Sequence, residues 1–201
     1  APVQVVVVPI WRNDDQKSIV FASGEDVVSR LAEVGIRSKL DVRDGMNPGA
    51  KYYDWERRGV PVRLEIGPRD VEAGHVMSVR RFTPEGEERK KPIPLEALVE
   101  EIPALLVRMQ DELLAGARAR REASTVGGVE TKDDFRSIIG GQGGVVFTGW
   151  CGEEECESRV KDETKATIRV IPDEEFRTEQ APSRCLCGAE SRYEVVRAKA
   201  Y

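Results

Sequence analysis

Residues 3–10 read VQVVVVPI, and this segment decides the fold of the first part of the chain. A nearly continuous β-branched run is typical of a strand that is buried on both faces of a parallel sheet. Apolar residues at helical spacing follow over residues 15–34, and Gly35 marks the end of that helix. Residues 36–42 (IRSKLDV) predict a second strand, so the chain begins as a strand–helix–strand unit.

Five more elements are predicted before residue 122: a short helix, three strands and a long amphipathic helix. In that order they span residues 48–58, 60–66, 75–82, 87–91 and 95–121. Pro103 falls inside the long helix, so we expect a kink there or two helices in tandem. Strands that alternate with helices in this way predict an α/β domain with a mixed sheet.

The sequence changes character after residue 122. Polar, glycine-containing residues 123–130 are interpreted as a linker between a first domain at 1–122 and a second at 131–201. Thr131 with Asp134 predicts a capping box at the start of a short helix. Short strands are predicted in the second domain. They span residues 145–149, 166–171 and 193–198.

The four cysteines form two close pairs, Cys151 with Cys156 and Cys185 with Cys187, separated by 28 residues. Two close pairs joined by a loop are what a tetrahedral all-cysteine zinc site requires, because each pair supplies one edge of the tetrahedron. The alternatives are two disulfides or free core thiols. A Cys-x-Cys disulfide would be strained, and a cytosolic chain keeps its thiols reduced. The pattern predicts a structural zinc site that helps a small module to fold.

Basic residues are concentrated in the first domain, although the net charge of the chain is −5. Residues 37–91 carry 13 Lys and Arg against 10 Asp and Glu. Such cations pair with phosphates, and Arg makes bidentate contacts to guanine edges. The candidate patch comprises Arg43, Lys51, Arg63, Arg69, Arg80 and Arg81, with Glu65 and Asp70 as acceptors for base amino groups. The alternative for each residue is an ordinary ion pair on a solvated surface.

Three other features carry weaker chemical signals. Tyr52, Tyr53 and Trp55 suit base stacking, although helical spacing favours a core position for Trp55. His75 is the single histidine and has no nucleophile signature near it, which nearly excludes histidine-dependent catalysis. Residues 140–142 (GGQ) match the tripeptide with which peptide-chain release factors hydrolyse peptidyl-tRNA. Here the tripeptide precedes two more glycines and is interpreted as a flexible turn.

Several segments, taken in order, resemble the C-terminal region of prolyl-tRNA synthetases of the archaeal and eukaryotic type. They are VVVVPIWR (5–12), LDVRDGMNPGAKYYDWERRGVPVRLEIGPRD (40–70), WCGEEECE (150–157), KDETKATIRVIP (161–172) and RCLCGAESRYEVVRAKAY (184–201). The match covers nearly the whole chain. One departure is the Cys-x-Cys of the second pair, where many archaeal-type members have Cys-x2-Cys and eukaryotic members also show the shorter form.

The resemblance implies a class II aminoacyl-tRNA synthetase anticodon-binding domain, with a mixed five-stranded sheet and helices, followed by a small α+β zinc-binding domain. In this family the second and third anticodon bases of proline tRNA, both guanines, are the identity elements. The matching tRNA-binding positions are Arg43, Lys51, Arg63, Glu65, Asp70 and Arg80. The matching zinc ligands are Cys151, Cys156, Cys185 and Cys187, and the terminal carboxylate of Tyr201 would reach toward the catalytic domain.

The resemblance also implies that the whole enzyme is a ligase of protein biosynthesis, which activates proline with ATP and Mg²⁺ and transfers it to tRNA. Neither an ATP-binding arginine motif nor a proline pocket is recognisable in these residues. The chain starts inside a strand pattern without a methionine, so we expect a catalytic domain upstream and no catalysis by this chain alone. Members of the family pair through their catalytic domains, which implies a homodimer. With no membrane span or signal peptide in the sequence, we expect a cytoplasmic protein.

Two rival hypotheses remain. A free-standing paralogue that binds RNA and carries a structural zinc would share the same motifs. An α/β enzyme of flavodoxin-like architecture would need a glycine-rich phosphate loop after the first strand. Residues 9–15 (PIWRNDD) contain no glycine, which argues against the second rival.

Overall fold

The computed structural model describes residues 1–199, which fall into two compact units. The first unit ends at Ala115 and the second begins at Gly116. The first contains β1 (Val5–Pro9), α1 (Asp14–Glu33), β2 (Ser38–Leu40), α2 (Pro48–Arg57), β3 (Val62–Ile66), α3 (Pro68–Glu72), β4 (His75–Arg80) and β5 (Lys90–Pro94). The helix α4 (Leu98–Ala123) crosses the division. The second contains β6 (Thr125–Val129), α5 (Lys132–Gly140), β7 (Val145–Trp150), α6 (Glu154–Thr164), β8 (Ala166–Val170) and β9 (Tyr193–Lys199).

The first unit is built on a mixed sheet of five strands in the order β2-β1-β3-β4-β5. Strand β1 pairs in parallel with both β2 and β3, as predicted for the VQVVVVPI segment, while β4 and β5 continue the sheet antiparallel. Asn13 and Asn47 cap the helices that follow β1 and β2 through their side-chain oxygens. The carboxyl ends of β1, β2 and β3 therefore lie at one edge of the sheet.

Helices cover both faces of this sheet. One core joins Val27 and Leu31 of α1 with Ile102 and Met109 of α4 against alternate strand residues such as Leu64. The other core is smaller and comprises Val6, Val8, Trp55 and Val60 beneath α2. Burying each large apolar side chain stabilises the fold by roughly 1.5–3 kcal/mol. Alternate residues of β3 thus enter different environments, and Arg63 and Glu65 lie on the α2 side.

The helix α4 runs from Leu98 through Pro103 as one helix, so of the two alternatives, a kink or a tandem pair of helices, the tandem pair is not formed. Proline removes one N–H from the helical ladder. The buried side chains of Leu98, Ile102, Leu105 and Met109 hold the helix on the sheet on both sides of that position. Their packing outweighs the loss of one hydrogen bond.

The second unit contains a four-stranded sheet in the order β6-β7-β9-β8. Strand β9 is antiparallel to both β7 and β8, and β6 is parallel to β7. Strand β6 lies inside residues 123–130, the predicted linker, so most of that stretch belongs to the second sheet. Its sequence, TVGGV, has two glycines, and Gly128 adopts φ +68° where the register with β7 shifts. A local pattern that weak does not predict a strand.

Two helices pack with the second sheet. Thr131 caps α5, and its Oγ1 accepts from the backbone N–H of Asp134, which confirms one half of the predicted capping box. The carboxylate of Asp134 accepts from the Thr131 hydroxyl instead of from the backbone N–H of Thr131. Phe135 and Ile139 of α5 join Val160 of α6 in one apolar core. The helix α6 ends at Thr164, and the next residue, Lys165, caps it with a left-handed φ of 62°.

Among the helices of residues 1–199, none combines the length and the apolar character that a membrane span needs.

Candidate polar edge and candidate metal centre

The carboxyl edge of β1, β2 and β3 gathers aromatic and charged side chains from three loops. Trp11 follows β1, Arg43 follows β2, and Asp70 lies in the short helix after β3. Lys51 comes from the first turn of α2, which Asn47 and Pro48 position. We call these four residues, Trp11, Arg43, Lys51 and Asp70, the polar edge.

Asp41 joins two members of the polar edge, Arg43 and Lys51. Its side chain is buried and accepts from Nε and Nη2 of Arg43 at 3.0 and 2.6 Å and from Nε1 of Trp55 at 2.7 Å. Burial alone would raise the pKa of Asp41, but these hydrogen bonds and the charge of Lys51 outweigh it and lower the pKa to about 2. The same hydrogen bonds raise the pKa of Arg43, which also donates to Asp54 at 2.7 Å.

Lys51 is a buried ammonium without a hydrogen-bond partner in residues 1–199. Its Nζ lies 3.7 Å from Oδ1 of Asp41 and 5.1 Å from the ring centroid of Trp11. A second ammonium, Nζ of Lys17, lies 5.5 Å from the same ring and 2.8 Å from Asp44. The edge of Phe21 meets the indole at a centroid separation of 5.2 Å. The indole therefore lies near two cations and against the ring of Phe21.

Arg63 and Glu65 are committed to partners inside the first unit. Arg63 lies over the ring of Tyr52 at 3.8 Å from the centroid and donates to Glu65 at 3.0 Å and to Glu56 at 2.9 Å. Glu65 also accepts from Lys90 at 2.6 Å. Burial, with the charge of Glu65, raises the pKa of Tyr52 to about 12. These charges therefore satisfy one another beneath α2.

Arg80 lies apart from the polar edge. It pairs in register with Val62 at the amino end of β3, so it is on the α4 face at the other end of the strand. Its guanidinium is buried and pairs with Glu87 and Glu112.

The predicted patch is therefore divided by the structure. Arg43 and Lys51 come together around Asp41, and Asp70 lies in the helix that follows β3 at the same edge of the sheet, whereas Arg80 does not join them. Asp70 accepts from the backbone N–H of Gly67 at 2.8 Å and lies 3.0 Å from Nε2 of His75. Among the other predicted basic residues, Arg69 and Arg81 are exposed.

Sequence reasoning missed Trp11, Lys17 and Asp41. For Trp11 a signal existed, because it directly follows the central parallel strand, where side chains reach the carboxyl edge. Trp55 was predicted to favour the core, and it is buried there.

The four cysteine sulfurs of the second unit converge at one point. Cys151 follows β7, Cys156 lies in the first turn of α6, and Cys185 is bridged to Gly149 of β7. Cys187 precedes Gly188, whose φ of +90° turns the chain back. All four sulfurs lie within 4.8 Å of one another.

The sulfur geometry fits a zinc ion. The Sγ atoms of Cys156 and Cys185 are 3.5 Å apart and those of Cys151 and Cys187 are 3.9 Å apart. A regular tetrahedron with Zn–S bonds of about 2.3 Å has edges of about 3.8 Å. A disulfide requires about 2.05 Å, and all four thiols are free.

The thiols differ in their surroundings. Burial and the neighbouring sulfurs raise the pKa of Cys156. Cys187 is exposed, and although burial pushes its pKa upward, the backbone N–H of Ala189 and the other cysteines lower it to about 7. The predicted role of Tyr201 lies outside the described residues.

Two family models match the chain, one in each part. Residues 4–105 match the anticodon binding domain, and residues 132–201 match the C-terminal domain of prolyl-tRNA synthetase.

Relatives match over the full length of the chain. Proline–tRNA ligase 2 of Clostridioides difficile and proline–tRNA ligase of Roseiflexus castenholzii are each 40% identical to it over 202 residues. These alignments cover 100% of the chain and 40% of each relative, so the chain spans about two fifths of their length. A solved structure of prolyl-tRNA synthetase from Cryptosporidium parvum, complexed with L-proline and AMP, superposes with a TM-score of 0.82 at 32% identity. The superposition covers 100% of this chain and 41% of the Cryptosporidium parvum chain.

Proposed function

This chain belongs to the prolyl-tRNA synthetase family, in which it corresponds to the anticodon-binding and C-terminal domains, and on that premise we propose that it recognises the anticodon of proline tRNA. In this role it docks the tRNA on a proline–tRNA ligase. Activation of proline with ATP and Mg²⁺, and its transfer to tRNA, then belong to a catalytic domain outside these residues. The chain supplies discrimination and docking.

One observation carries the proposal: a buried ammonium with unused donors adjoins an indole at the polar edge. Nζ of Lys51 has no hydrogen-bond partner in residues 1–199 and lies 5.1 Å from the Trp11 ring centroid. Guanine offers two acceptors on one edge, O6 and N7, and any base can stack on an aromatic ring. Because Nζ is enclosed in this structure, a rotation of the Lys51 side chain toward the indole would be needed before an unpaired guanine of an anticodon loop supplies both interactions.

The remaining predicted residues take different parts in this proposal. Arg43, one third exposed, is held by Asp41 and Asp54 and presents a fixed guanidinium to the backbone or a base. Asp70 offers a carboxylate to base amino groups. Arg63 and Glu65 support α2 from beneath and so hold Lys51 in place. Arg80 is left out, because its partners are on the opposite face.

For the second unit we propose a structural zinc held by Cys151, Cys156, Cys185 and Cys187. Four thiolates complete a tetrahedron and leave no coordination position for substrate or water. The metal would cross-link the segment that follows β7 to the segment that precedes β9. It would take no part in the chemical reaction of the enzyme.

The whole enzyme is proposed to be a cytoplasmic homodimer that pairs through its catalytic domains. Free thiols at all four cysteines accord with a reducing compartment. Sedimentation of the full-length enzyme would give its oligomeric state.

The direct test is binding of the purified chain to a proline tRNA transcript and to a transcript in which both anticodon guanines are replaced. We expect the altered transcript to bind about 30- to 20,000-fold more weakly, since each of the two lost base contacts costs roughly 1–3 kcal/mol. Equal binding of both would support the free-standing RNA-binding paralogue instead. Elemental analysis of the same sample tests the metal, with one zinc per chain expected.

A further inference from the structure

Arg197 is the largest side chain that is completely buried in the described part of the chain. It lies on β9 between β7 and β8, opposite Val146 on one side and Ile168 on the other. A charged residue at the centre of a sheet is rare unless it is paired. Its position therefore calls for a counter-charge.

The described residues do not provide one in contact. Nε of Arg197 donates to Oγ1 of Thr148 at 3.2 Å, while Nη1 and Nη2 have no hydrogen-bond partner within residues 1–199. No carboxylate in that range lies within ion-pair distance of the guanidinium. A buried and uncompensated cation costs several kcal/mol of stability.

The topology places Arg197 on the side of the sheet that carries the cysteines. Residues paired across antiparallel strands share a face, so Arg197 and Val146 point to the same side. Val146 packs with Val160 of α6 and with Leu186. The helix α6 carries Cys156, and Leu186 separates Cys185 from Cys187.

The electrostatic surroundings agree with this placement. Burial lowers the pKa of Arg197, and the charges of Glu157, Cys185, Cys156 and Cys151 act in the opposite direction. Three of these four groups are the predicted zinc ligands.

We propose that Arg197 is the counter-charge of the zinc–tetrathiolate centre and that it couples metal binding to the fold of the second sheet. A zinc ion with four thiolates carries a net charge of about −2, which is larger than that of any single carboxylate. The bound centre and the buried guanidinium stabilise each other. Without metal the guanidinium is a destabilising group. This inference rests on the proposed structural zinc.

Glu157 is the competing partner. Its Oε1 accepts from the backbone N–H of Ile168, the residue opposite Arg197, at 3.3 Å. A carboxylate satisfied by the backbone would compensate Arg197 whether or not metal is bound. The two alternatives therefore differ in their dependence on zinc.

The test uses the 201-residue chain and its Arg197→Met, Arg197→Lys, Glu157→Gln and Arg169→Met variants. Arg169 is an exposed arginine on the neighbouring strand β8 and serves as the matched control. Zinc affinity is measured by competition with a chromophoric chelator, and thermal unfolding is followed with and without zinc.

We expect Arg197→Met to weaken zinc binding by about 10- to 100-fold, as for other groups that support metal ligands, while the metal-free chain unfolds at an unchanged or higher temperature. Arg197→Lys keeps the charge and should retain affinity within about threefold of wild type, a span of roughly 0.7 kcal/mol. Arg169→Met should match wild type. If Arg197→Met does not fold, the affinity of Arg197→Lys still decides whether charge matters.

Four results would overturn the inference or its premise. Equal destabilisation of the metal-free and metal-bound forms, with unchanged zinc affinity, would show a purely structural arginine. Equal destabilisation of the metal-free and metal-bound forms by Glu157→Gln, together with unchanged zinc affinity in Arg197→Met, would make Glu157 the partner. A wild-type chain that binds no zinc would refute the metal site itself, whereas normal zinc binding by Arg197→Met would refute only the role of Arg197.

Discussion

Trp55 donates its indole N–H to Asp41 across 2.7 Å, and both side chains are buried. One carboxylate thus ties a core tryptophan of α2 to Arg43 at the end of β2. The polar edge is consequently positioned by a buried charge, and the protonation of that charge affects the stability of the fold.

Replacement of Asp41 by Asn should lower the free energy of unfolding by about 2 kcal/mol or more at pH 6, because each unit of pKa depression corresponds to about 1.4 kcal/mol. The pKa of Asp41 is lowered to about 2 in the folded protein from 3.8. Its ionisation therefore stabilises the fold fully above about pH 4, and this contribution is lost as the pH falls toward 2. Urea unfolding at a series of pH values measures it.

The matched control for that series is Asp44→Asn. Asp44 is exposed and pairs with Lys17, so its loss should change the free energy of unfolding by less than about 1 kcal/mol. A difference between wild type and Asp41→Asn that stays constant from pH 6 to pH 2 would contradict the prediction.

Replacement of Lys51 by Met should weaken binding of proline tRNA by about 10- to 100-fold, since a contact to a base edge contributes roughly 1–3 kcal/mol. Stability should decrease, because the buried carboxylate of Asp41 loses one of its two cationic partners. Filter binding at several salt concentrations measures both affinity and its salt dependence. If Lys51 contacts a base, its replacement should leave the dependence of log affinity on log salt concentration unchanged. If Lys51 contacts a phosphate, its replacement should reduce the magnitude of that slope by about one.

Lys91, exposed on β5, offers the control substitution Lys91→Met. Retained discrimination against the altered anticodon in the Lys51→Met variant would show that Lys51 does not read a base.

Replacement of Gly149 by Ala should destabilise the second unit by about 1–3 kcal/mol. A Cβ at this position would lie 2.3 Å from the backbone oxygen of Arg184 and 2.7 Å from Oγ of Ser191. Because Gly149 is bridged to Cys185, the strain should also weaken zinc binding. Thermal unfolding with and without zinc measures both effects.

Gly140→Ala is its control, since a Cβ there meets nothing within 4 Å. Placed at the end of α5, alanine should leave stability unchanged or raise it slightly. Equal behaviour of the two variants would argue against the close approach at Gly149.

Removal of zinc by a strong chelator should expose the backbone amides of the second unit to hydrogen exchange and leave those of residues 1–115 protected. Structural zinc in small modules supplies about 10 kcal/mol or more of folding free energy at neutral pH. Exchange measured by mass spectrometry on peptides from each unit checks this, with re-addition of zinc as the reversal. Uniform loss of protection in both units would contradict it.

Much of the fold follows from local sequence. The VQVVVVPI run was confirmed as the central parallel strand because its apolar content requires burial on both faces. The convergence of the two cysteine pairs was also predicted correctly. Close spacing keeps the two sulfurs of each pair near each other, so only the loop between the pairs has to close.

Two elements that the sequence did not predict, β6 and α6, have weak apolar patterns. Strand β6 contains Gly127 and Gly128, which weaken any strand signal. The helix α6 buries Cys156, Val160 and Thr164 at intervals of four, a helical period that is visible only if cysteine and threonine are counted as apolar.

Burial of charged residues was beyond local reasoning. Lys51 and Arg80 were interpreted as surface cations, yet both are buried. Their partners, Asp41 for Lys51 and Glu112 for Arg80, come from other elements of the fold. Only the tertiary arrangement reveals that such charges are enclosed.

The position of β9 between β7 and β8 has a consequence for the order of folding. Strands β7 and β8 do not pair with each other, so neither ladder exists until the segment that follows the last cysteine has inserted between them. Contacts between segments that are far apart in sequence form slowly, because a long loop must first close. A metal ion that bridges Cys151, directly after β7, and Cys185, shortly before β9, would leave only a few residues of loop to close between these two strands. The ion would then act as a kinetic nucleus, and its availability would set how fast the sheet is completed.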